Sequence, residues 1–216
     1  MKRQKINLAG IVLQAIFFTY AFLCNSVTAQ TIKIGTQNWC THNLDVSTYR
    51  NGDSIPQVQD ATQWSELKTG AWCHYENQTK NGILYGKLYN WYAIKDPRGL
   101  APKGYHVASD AEWITLTNFL GGENEAGSKM KSTTGWNESV PKSFKGNNSS
   151  GFSGLPGGYR SNDGTFSDIG NNGSWWSSTE AITYVAWFRN MSNTYGFVFR
   201  SSYYEKNGFS IRCLAD

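Results

Sequence analysis

Hydrophobic residues in the first half of the chain recur at spacings that predict one short strand and several helices. The polar–apolar alternation of residues 31–35 is typical of a half-buried strand. In residues 60–70, Trp64 and Leu67 fall on one face of a short helix, which an acidic residue at its start can cap. Residues 84–94 also carry aromatic residues at helical spacing, although tyrosine and tryptophan suit strands as well.

The clearest helix signal lies at residues 109–122. Ser109 and Glu112 stand three positions apart and predict a capping box, in which each side chain satisfies a backbone N–H of the other residue. Trp113 and Leu116 line one face, and two glycines follow as a stop signal. We expect this helix to pack on a sheet through those two apolar side chains.

The second half of the chain predicts strands separated by tight turns. Residues 147–173 are rich in glycine, serine and asparagine, which favour turns. Short apolar runs then follow at the spacing of an antiparallel meander, at residues 174–178, 184–189, 195–200 and 209–214. Short helices in the first half and strands in the second predict an α+β fold. No proline-rich linker divides the chain, so we expect a single domain.

The first 29 residues have the pattern of a secretory signal peptide. A basic start is followed by the uncharged apolar run Leu8–Leu23, and small residues precede a predicted cleavage after Ala29. A membrane anchor is disfavoured, because about 16 apolar residues fall short of the roughly 20 that span a bilayer. Lipidation at Cys24 is disfavoured, because a large leucine precedes it. We therefore expect a signal peptide at residues 1–29, which makes the chain's only membrane contact before cleavage. The exported domain, residues 30–216, would be secreted, at the cell surface or in the periplasm.

The net charge and the amino-acid composition exclude some classes of function for this exported domain. Removing the three cations of the signal peptide lowers the formal net charge from +4 to +1. A near-neutral domain has no electrostatic basis for binding nucleic acid. Aromatic residues make up 15% of the chain, including 9 tryptophans, and charged residues only 17%. That composition excludes a disordered tail and predicts a folded domain whose core is built largely from rings.

Three cysteines remain after cleavage: Cys40, Cys73 and Cys213. Disulfides persist in exported proteins, and three cysteines allow three single pairings with one thiol left over. We favour a bond between Cys73 and Cys213, which would tie the end of the chain to its early half. A bond between Cys40 and Cys73 is the main rival. We expect the remaining thiol to be buried or unpaired rather than a catalytic nucleophile.

Metal and catalytic sites receive little support from the sequence. His42, His74 and His106 do not combine with the cysteines at the spacings of zinc ligands, and His106 is expected to pack beside the predicted helix cap. No Gly-x-Ser-x-Gly nucleophile motif is present, so we name no catalytic residue, metal ligand or cofactor. A structural calcium ion stays an alternative, but the oxygen-rich loop clusters are more typical of turns. Those clusters are Asn51 with Asp53, Asn137 with Glu138, and Asn162 with Asp163.

Aromatic residues of the second half are the candidate ligand-binding groups. Neighbouring residues of a strand point to opposite faces, so we expect one of Trp175 and Trp176 in the core and the other partly exposed. An exposed ring beside amide, hydroxyl or guanidinium groups suits sugar or peptide binding. Alternatively, the rings fill a core that is short of aliphatic residues. The candidate binding residues are Tyr159, Arg160, Trp175, Trp176, Trp187 and Tyr195.

Several longer segments are distinctive in combination. They are residues 43–44, 49–53, 85–92 (YGKLYNWY), 104–113 (GYHVASDAEW), 154–160 (GLPGGYR), 175–179 (WWSST) and 208–213 (GFSIRC). In this order they resemble the Fibrobacter succinogenes major paralogous domain family of secreted bacterial domains, over nearly all of the mature chain. The chain departs from the family pattern at Ala101, where many members carry a cysteine, and at Cys40, where another residue is expected.

The resemblance implies an exported or surface-associated protein with a C-type lectin-like fold, similar to that of formylglycine-generating enzymes. It implies no established activity. Together with the ring-rich composition, it favours a non-catalytic binding module for a glycan or a protein on a surface. One alternative is an enzyme related to formylglycine-generating oxidases, which is disfavoured because Cys213 has no second cysteine near it in the sequence. The other is a structural component of a surface layer or matrix.

Overall fold

The computed structural model describes residues 30–138 and 145–216, so the predicted signal peptide lies outside the described residues. The α-helices are Ala61–Ser65 (α1), Thr79–Tyr85 (α2), Trp91–Lys95 (α3), Asp110–Phe119 (α4) and Glu123–Met130 (α5), and Tyr75–Asn77 forms a 3₁₀ turn. The first strands are Thr31–Ile34 (β1), Gln37–Cys40 (β2), Trp72–Cys73 (β3), Leu88–Tyr89 (β4) and Tyr105–Val107 (β5). The later strands are Gly157–Arg160 (β6), Phe166–Ile169 (β7), Asn172–Ile182 (β8), Val185–Ser192 (β9), Phe199–Tyr204 (β10) and Cys213–Ala215 (β11).

These elements form an α+β fold, as the sequence predicts. One antiparallel sheet has the strand order β1-β2-β11-β5, so it joins the first and last strands of the described chain. A mixed sheet has the order β10-β9-β8-β6-β7, in which β6 runs parallel to β8. Strands β3 and β4 form a small third sheet. Within residues 30–138 and 145–216, no helix has the length and apolarity needed to cross a membrane.

Helix α4 confirms the capping box. The Ser109 hydroxyl accepts a bond from the backbone N–H of Glu112, and the Glu112 carboxylate accepts one from the backbone N–H of Ser109 at 2.7 Å. Trp113 and Leu116 are buried, and the Trp113 ring lies 4.8 Å from the ring of Trp39 on β2. The helix therefore packs on the sheets through the two side chains that its spacing indicates.

Two of the other predicted helices differ from their predicted bounds. Asp60 caps α1 by accepting a bond from the backbone N–H of Gln63, but the helix ends at Ser65. The helix predicted for residues 84–94 is wrong in its middle, where β4 pairs with β3 instead. Cross-strand pairing outweighs helix propensity at this position, because tyrosine and leucine pack equally well on a pleated surface.

The predicted order of a meander is confirmed for β8, β9 and β10, which are consecutive antiparallel neighbours. The strand predicted at residues 195–200 is wrong in its bounds, because β10 begins only at Phe199 and continues to Tyr204. The last apolar run does not join it. Residues 209–214 cross between sheets, and Leu214 on β11 pairs with Trp39 on β2 and with His106 on β5. The C-terminal strand therefore completes the first sheet rather than the second.

Strand β8 separates two parts of the hydrophobic core. The Trp175 side chain packs in one cluster with Trp113 and Phe152, whereas Trp176 packs in another with Phe188 and Phe209. Strand alternation thus directs the two rings to opposite faces. Both faces are covered. Helix α4 lies over one of them, and residues 207–211, which we call the crossing segment, lie over the other.

Candidate functional site

Three of the predicted binding residues are buried. Trp175, Trp176 and Arg160 are each 0% exposed. The expectation that one tryptophan is partly exposed is therefore wrong. Each indole N–H has an internal acceptor: Asn43 Oδ1 at 2.8 Å for Trp175 and the Tyr89 carbonyl at 2.9 Å for Trp176. These rings serve the core and offer no surface to a ligand.

Arg160 stabilises the surrounding backbone and does not line the rim of a binding site. Its guanidinium donates to the carbonyl oxygens of Val58, Gln59 and Gly164 at 2.6–3.0 Å. It also lies 4.5 Å from the Trp64 ring centre, a cation–π distance. A buried cation that is bonded to backbone carbonyls is a structural group, so the prediction of a ligand contact at Arg160 is not supported.

The other three predicted binding residues do not share one site. Trp187 is half-buried beneath the guanidinium of Arg200, which lies 3.5 Å from its ring centre. Tyr195 is 52% exposed and stacks on Phe197 at 4.8 Å. Tyr159 is half-buried and lines a groove of about 240 Å³ on the mixed sheet. Tyr159 and Tyr195 therefore remain surface-accessible rings, in different surroundings.

The predicted disulfide between Cys73 and Cys213 is not formed: Cys40, Cys73 and Cys213 are free, buried thiols. Cys73 packs in a small cluster with Trp64 and Leu88, where burial raises the pKa of its thiol to about 12. Cys213 belongs to another cluster, which also contains Cys40. The fold separates the predicted partners because β3 pairs with β4, whereas β11 pairs with β2 and β5.

Most of the residues weighed as metal ligands contact other protein groups. Among the described residues, no three His, Cys, Asp or Glu side chains are grouped so that they could hold a metal ion. His106 lies beside the helix cap, as predicted, with its two ring nitrogens 2.7 Å from carboxylates of Glu112 and Asp216. In the loop clusters weighed for calcium, Asp53 bonds Arg98, Glu138 bonds Lys145, and Asp163 accepts bonds from Thr165.

A cavity of about 590 Å³ lies at the end of the mixed sheet, and we call it the tyrosine pocket. Its lining includes three tyrosines and a glutamate: Tyr92, Tyr184, Tyr204 and Glu205. Three lysines and an amide complete the lining: Lys68, Lys95, Lys206 and Asn162. Rings, a carboxylate, ammonium groups and an amide thus converge on one space, which is the usual composition of a small-ligand site.

Three separate parts of the fold bring the tyrosines together. Tyr92 lies on α3, which Asn90 caps by accepting a bond from the backbone N–H of Ala93. Tyr184 occupies the two-residue turn between β8 and β9, and Tyr204 ends β10. Backbone bonds join these parts, because the N–H of Glu205 donates to the Tyr184 carbonyl at 3.0 Å and the Trp91 N–H donates to the Glu205 carbonyl at 2.8 Å.

Tyr184 adopts a backbone conformation that non-glycine residues rarely take. Its φ angle is +66°, in the left-handed region, and its side chain is 67% exposed. A bulky residue in this region costs of order 1 kcal/mol or more, and such strain is concentrated at functional sites. A glycine would fit this turn with less strain than the tyrosine does.

Glu205 supplies the buried polar group of the pocket. It is 1% exposed, and its Oε2 atom accepts a bond from Lys95 Nζ at 2.9 Å. The other carboxylate oxygen, Oε1, has no hydrogen-bond partner among the described residues. A buried carboxylate oxygen without a donor is costly, and an ordered water or a ligand hydroxyl would satisfy it.

The surrounding rings provide apolar faces around that carboxylate. Tyr184 and Tyr204 are 67% and 56% exposed. Lys95 Nζ lies 4.9 Å from the Tyr92 ring centre, and burial, with a smaller effect of the Glu205 carboxylate, raises the pKa of Tyr92. The pocket can therefore stack a flat apolar ligand face on a ring while its carboxylate accepts a hydrogen bond from a ligand hydroxyl or amine.

Sequence reasoning did not single out this pocket. Tyr204 and Glu205 stand shortly before the turn pair Asn207–Gly208, and Tyr184 begins the strand predicted at residues 184–189, so neither position by itself indicates a ligand site. An exposed aromatic residue within a two-residue hairpin turn, where glycine or asparagine is usual, is the feature that could have marked it.

The family model of the Fibrobacter succinogenes major domain matches residues 32–215. Because this match covers nearly all of the described chain, the protein belongs to that family. No curated protein and no solved structure matches the chain. The assignment to the family therefore rests on the sequence match, and the tyrosine pocket has to be interpreted from its own chemistry.

Proposed function

We propose that this chain is a non-catalytic binding module, secreted or attached to the cell surface, and that it binds a glycan in the tyrosine pocket. The observation that carries the proposal is that Glu205, whose Oε1 atom has no hydrogen-bond partner among the described residues, lines one cavity together with exposed tyrosine rings. Sugars present hydroxyl donors on their edges and C–H groups on their faces. A carboxylate acceptor next to tyrosine rings complements both features.

A glycan fits this pocket better than a protein surface does. The cavity is concave and about 590 Å³ in volume, which is the size of a small-ligand site rather than of a flat interface. The lining contains three lysines and one carboxylate, so it attracts acidic as well as neutral sugars. The signal peptide predicted at residues 1–29 supports exposure to extracellular glycans.

We also propose that the α+β architecture is a C-type lectin-like fold. The support is the pairing of β1 and β2 with the C-terminal β11, which brings both ends of the described chain into one sheet. The mixed sheet and its loops then project from that base and carry the tyrosine pocket. The family resemblance supports the same assignment.

The thiols favour binding over oxidase chemistry. A catalytic cysteine acts as a thiolate, and thiolates are stabilised by exposure and positive surroundings. Burial raises the pKa values of Cys40 and Cys213, although Arg212 opposes that effect. A raised pKa leaves only a small thiolate fraction near neutral pH, so these thiols react slowly, and this does not favour the rapid turnover expected of a formylglycine-generating enzyme.

A glycan screen tests the proposal. The purified chain is applied to an array of neutral and acidic glycans, alongside the variants Tyr204→Ala and Glu205→Gln. We expect binding by the wild-type chain and at least a tenfold loss of affinity in both variants, because each loses a ring or an acceptor that faces the ligand. Tyr195→Ala is the matched control, since it removes an equally exposed tyrosine outside the pocket.

Two results would contradict the proposal. One is the absence of binding by the folded wild-type chain to any glycan on the array. The other is full binding by both pocket variants together with a loss of binding by Tyr195→Ala, which would place the site elsewhere.

A further inference from the structure

Cys40 and Cys213 face each other across neighbouring strands. Leu214 on β11 pairs with Trp39 on β2 in an antiparallel register, so the next pair along the two strands is Cys213 and Cys40. Both thiols are buried, with Cys40 6% and Cys213 3% exposed, and Cys40 contributes to the raised pKa of Cys213. Both residues also line the same cavity. Three separate observations thus place these thiols together.

We propose that Cys40 and Cys213 form a disulfide bond across β2 and β11 when the protein meets an oxidising environment. Directly opposed residues of antiparallel strands have Cα atoms roughly 4.5–5.5 Å apart. Disulfides span Cα distances of roughly 4.4–6.8 Å, so the backbone already has the required spacing. The thiols are free in the structure.

Cys73 is the odd thiol in this arrangement. It lies on β3 in a different hydrophobic cluster, packed with Trp64 and Leu88. Arg160 contacts its sulfur, which gives that buried thiol a polar partner of its own. The pairing of three cysteines that the sequence leaves open is therefore resolved by strand register.

The cavity gives an oxidant access to the thiols. It has a volume of about 610 Å³, and the exposed residues His42 and Asp45 lie on its lining beside the apolar Leu44. A small disulfide such as oxidised glutathione can reach the sulfurs through this opening. A larger protein oxidant would have to act on the chain before it is fully folded.

The reaction is a thiol–disulfide exchange. The thiolate of one cysteine attacks a sulfur of oxidised glutathione, forms a mixed disulfide and releases one glutathione thiolate. The second cysteine loses its proton and attacks the protein sulfur of that mixed disulfide, which releases the second glutathione. Two protein thiols are oxidised and one glutathione disulfide is reduced to two thiols, with the two protons passing to the two released thiolates.

The bond would fasten the C-terminal strand to the start of the domain. It would close a loop of about 170 residues and restrict the unfolded chain accordingly. For a domain of this size we expect the unfolding temperature of the oxidised form to exceed that of the reduced form by roughly 5–15 °C. The difference should disappear after treatment with dithiothreitol.

Peptide mapping tests the pairing directly. The full chain is incubated with oxidised glutathione, denatured, alkylated at remaining free thiols, digested and analysed by mass spectrometry without reduction. We expect one cross-linked peptide pair that contains Cys40 and Cys213, and an alkylated Cys73. A cross-link that includes Cys73, or alkylation of both Cys40 and Cys213, overturns the proposal.

Paired variants extend the test to stability. Cys73→Ala should keep the temperature difference between its oxidised and reduced forms, whereas Cys213→Ala should lose it. For each variant, the unfolding temperature of the oxidised form is compared with that of the reduced form. A loss of stability caused by the substitution itself lowers both temperatures and leaves their difference unchanged. Retention of the difference by Cys213→Ala overturns the proposal, and if that variant does not fold, peptide mapping of the wild-type chain decides.

Discussion

The middle and the end of strands β8–β10 use aromatic residues for opposite purposes. In the middle, Trp175 and Trp176 are 0% exposed and belong to two different core clusters. At the end, Tyr184 and Tyr204 are more than half exposed and line the tyrosine pocket. The same strands therefore hold the core together at one place and present rings to solvent at another.

The two regions differ in whether other parts of the chain cover their aromatic rings. Helix α4 and the crossing segment 207–211 cover the two faces of β8 at its tryptophans. Tyr184, in the turn after β8, is left largely exposed. A ring's role is therefore decided by distant segments that lie over it, and an aromatic-rich strand does not by itself indicate a binding surface.

The largest expected effect is the loss of a core ring. Trp175→Ala and Trp176→Ala should each lower the free energy of unfolding by roughly 3–5 kcal/mol, because each leaves a large cavity in a closed cluster. Urea denaturation of each variant against the wild-type chain measures the change. A loss below about 1 kcal/mol for either variant would mean that its ring is not packed as described, and the contrast between the two regions would fail.

An intermediate effect, opposite in sign, is expected at the exposed end. Tyr184→Gly should keep the free energy of unfolding or raise it by about 0.5–1 kcal/mol, because glycine adopts a positive φ without strain. The same change should weaken glycan binding at least tenfold, since it removes a ring of the pocket. Denaturation and affinity measurements on the same sample separate the two effects. Reduced stability with unchanged affinity would make Tyr184 a structural residue like the tryptophans.

The smallest expected effect is a pH dependence of the free energy of unfolding. It arises at His106 in the first sheet, outside the two regions compared above. Burial alone would lower the pKa of His106, but the carboxylates of Asp216 and Glu112 raise it overall. A raised pKa in the folded state stabilises the fold fully below the ordinary value of 6.5, and this stabilisation is lost as the pH rises through the folded-state pKa.

The His106 contribution should be about 0.5 kcal/mol or less, because the side chain is 41% exposed and solvent screens the pair. His106→Gln should remove that part of the pH profile of unfolding, as measured by urea denaturation between about pH 5 and 9. An identical profile in the variant would show that these contacts contribute nothing to stability.

Features set by neighbouring residues could be predicted from the sequence. The capping box of Ser109 and Glu112 and the cap at Asp60 depend on atoms three residues apart, and both form as expected. The meander from β8 to β10 follows from apolar runs joined by short turns. These signals also suffice for the α+β class.

Features set by distant pairing could not be predicted. Cys213 lies opposite Cys40 because Leu214 pairs with Trp39, and no local pattern encodes that register. Burial of Trp175 and Trp176 likewise depends on segments far away in the sequence. The tyrosine pocket joins the segment after α1, helix α3, two turns of the mixed sheet and the end of β10, so its residues become neighbours only in the folded chain.

Nuclear magnetic resonance titration of the isotopically labelled chain tests the central claim most directly. The strongest glycan from the array is added, and backbone and tyrosine-ring shifts are followed residue by residue. We predict that the largest changes occur at Tyr92, Tyr184, Tyr204 and Glu205. Changes confined to the groove at Tyr159 or to the stacked pair at Tyr195, or a spectrum that no glycan alters, would contradict the assignment of the tyrosine pocket as the binding site.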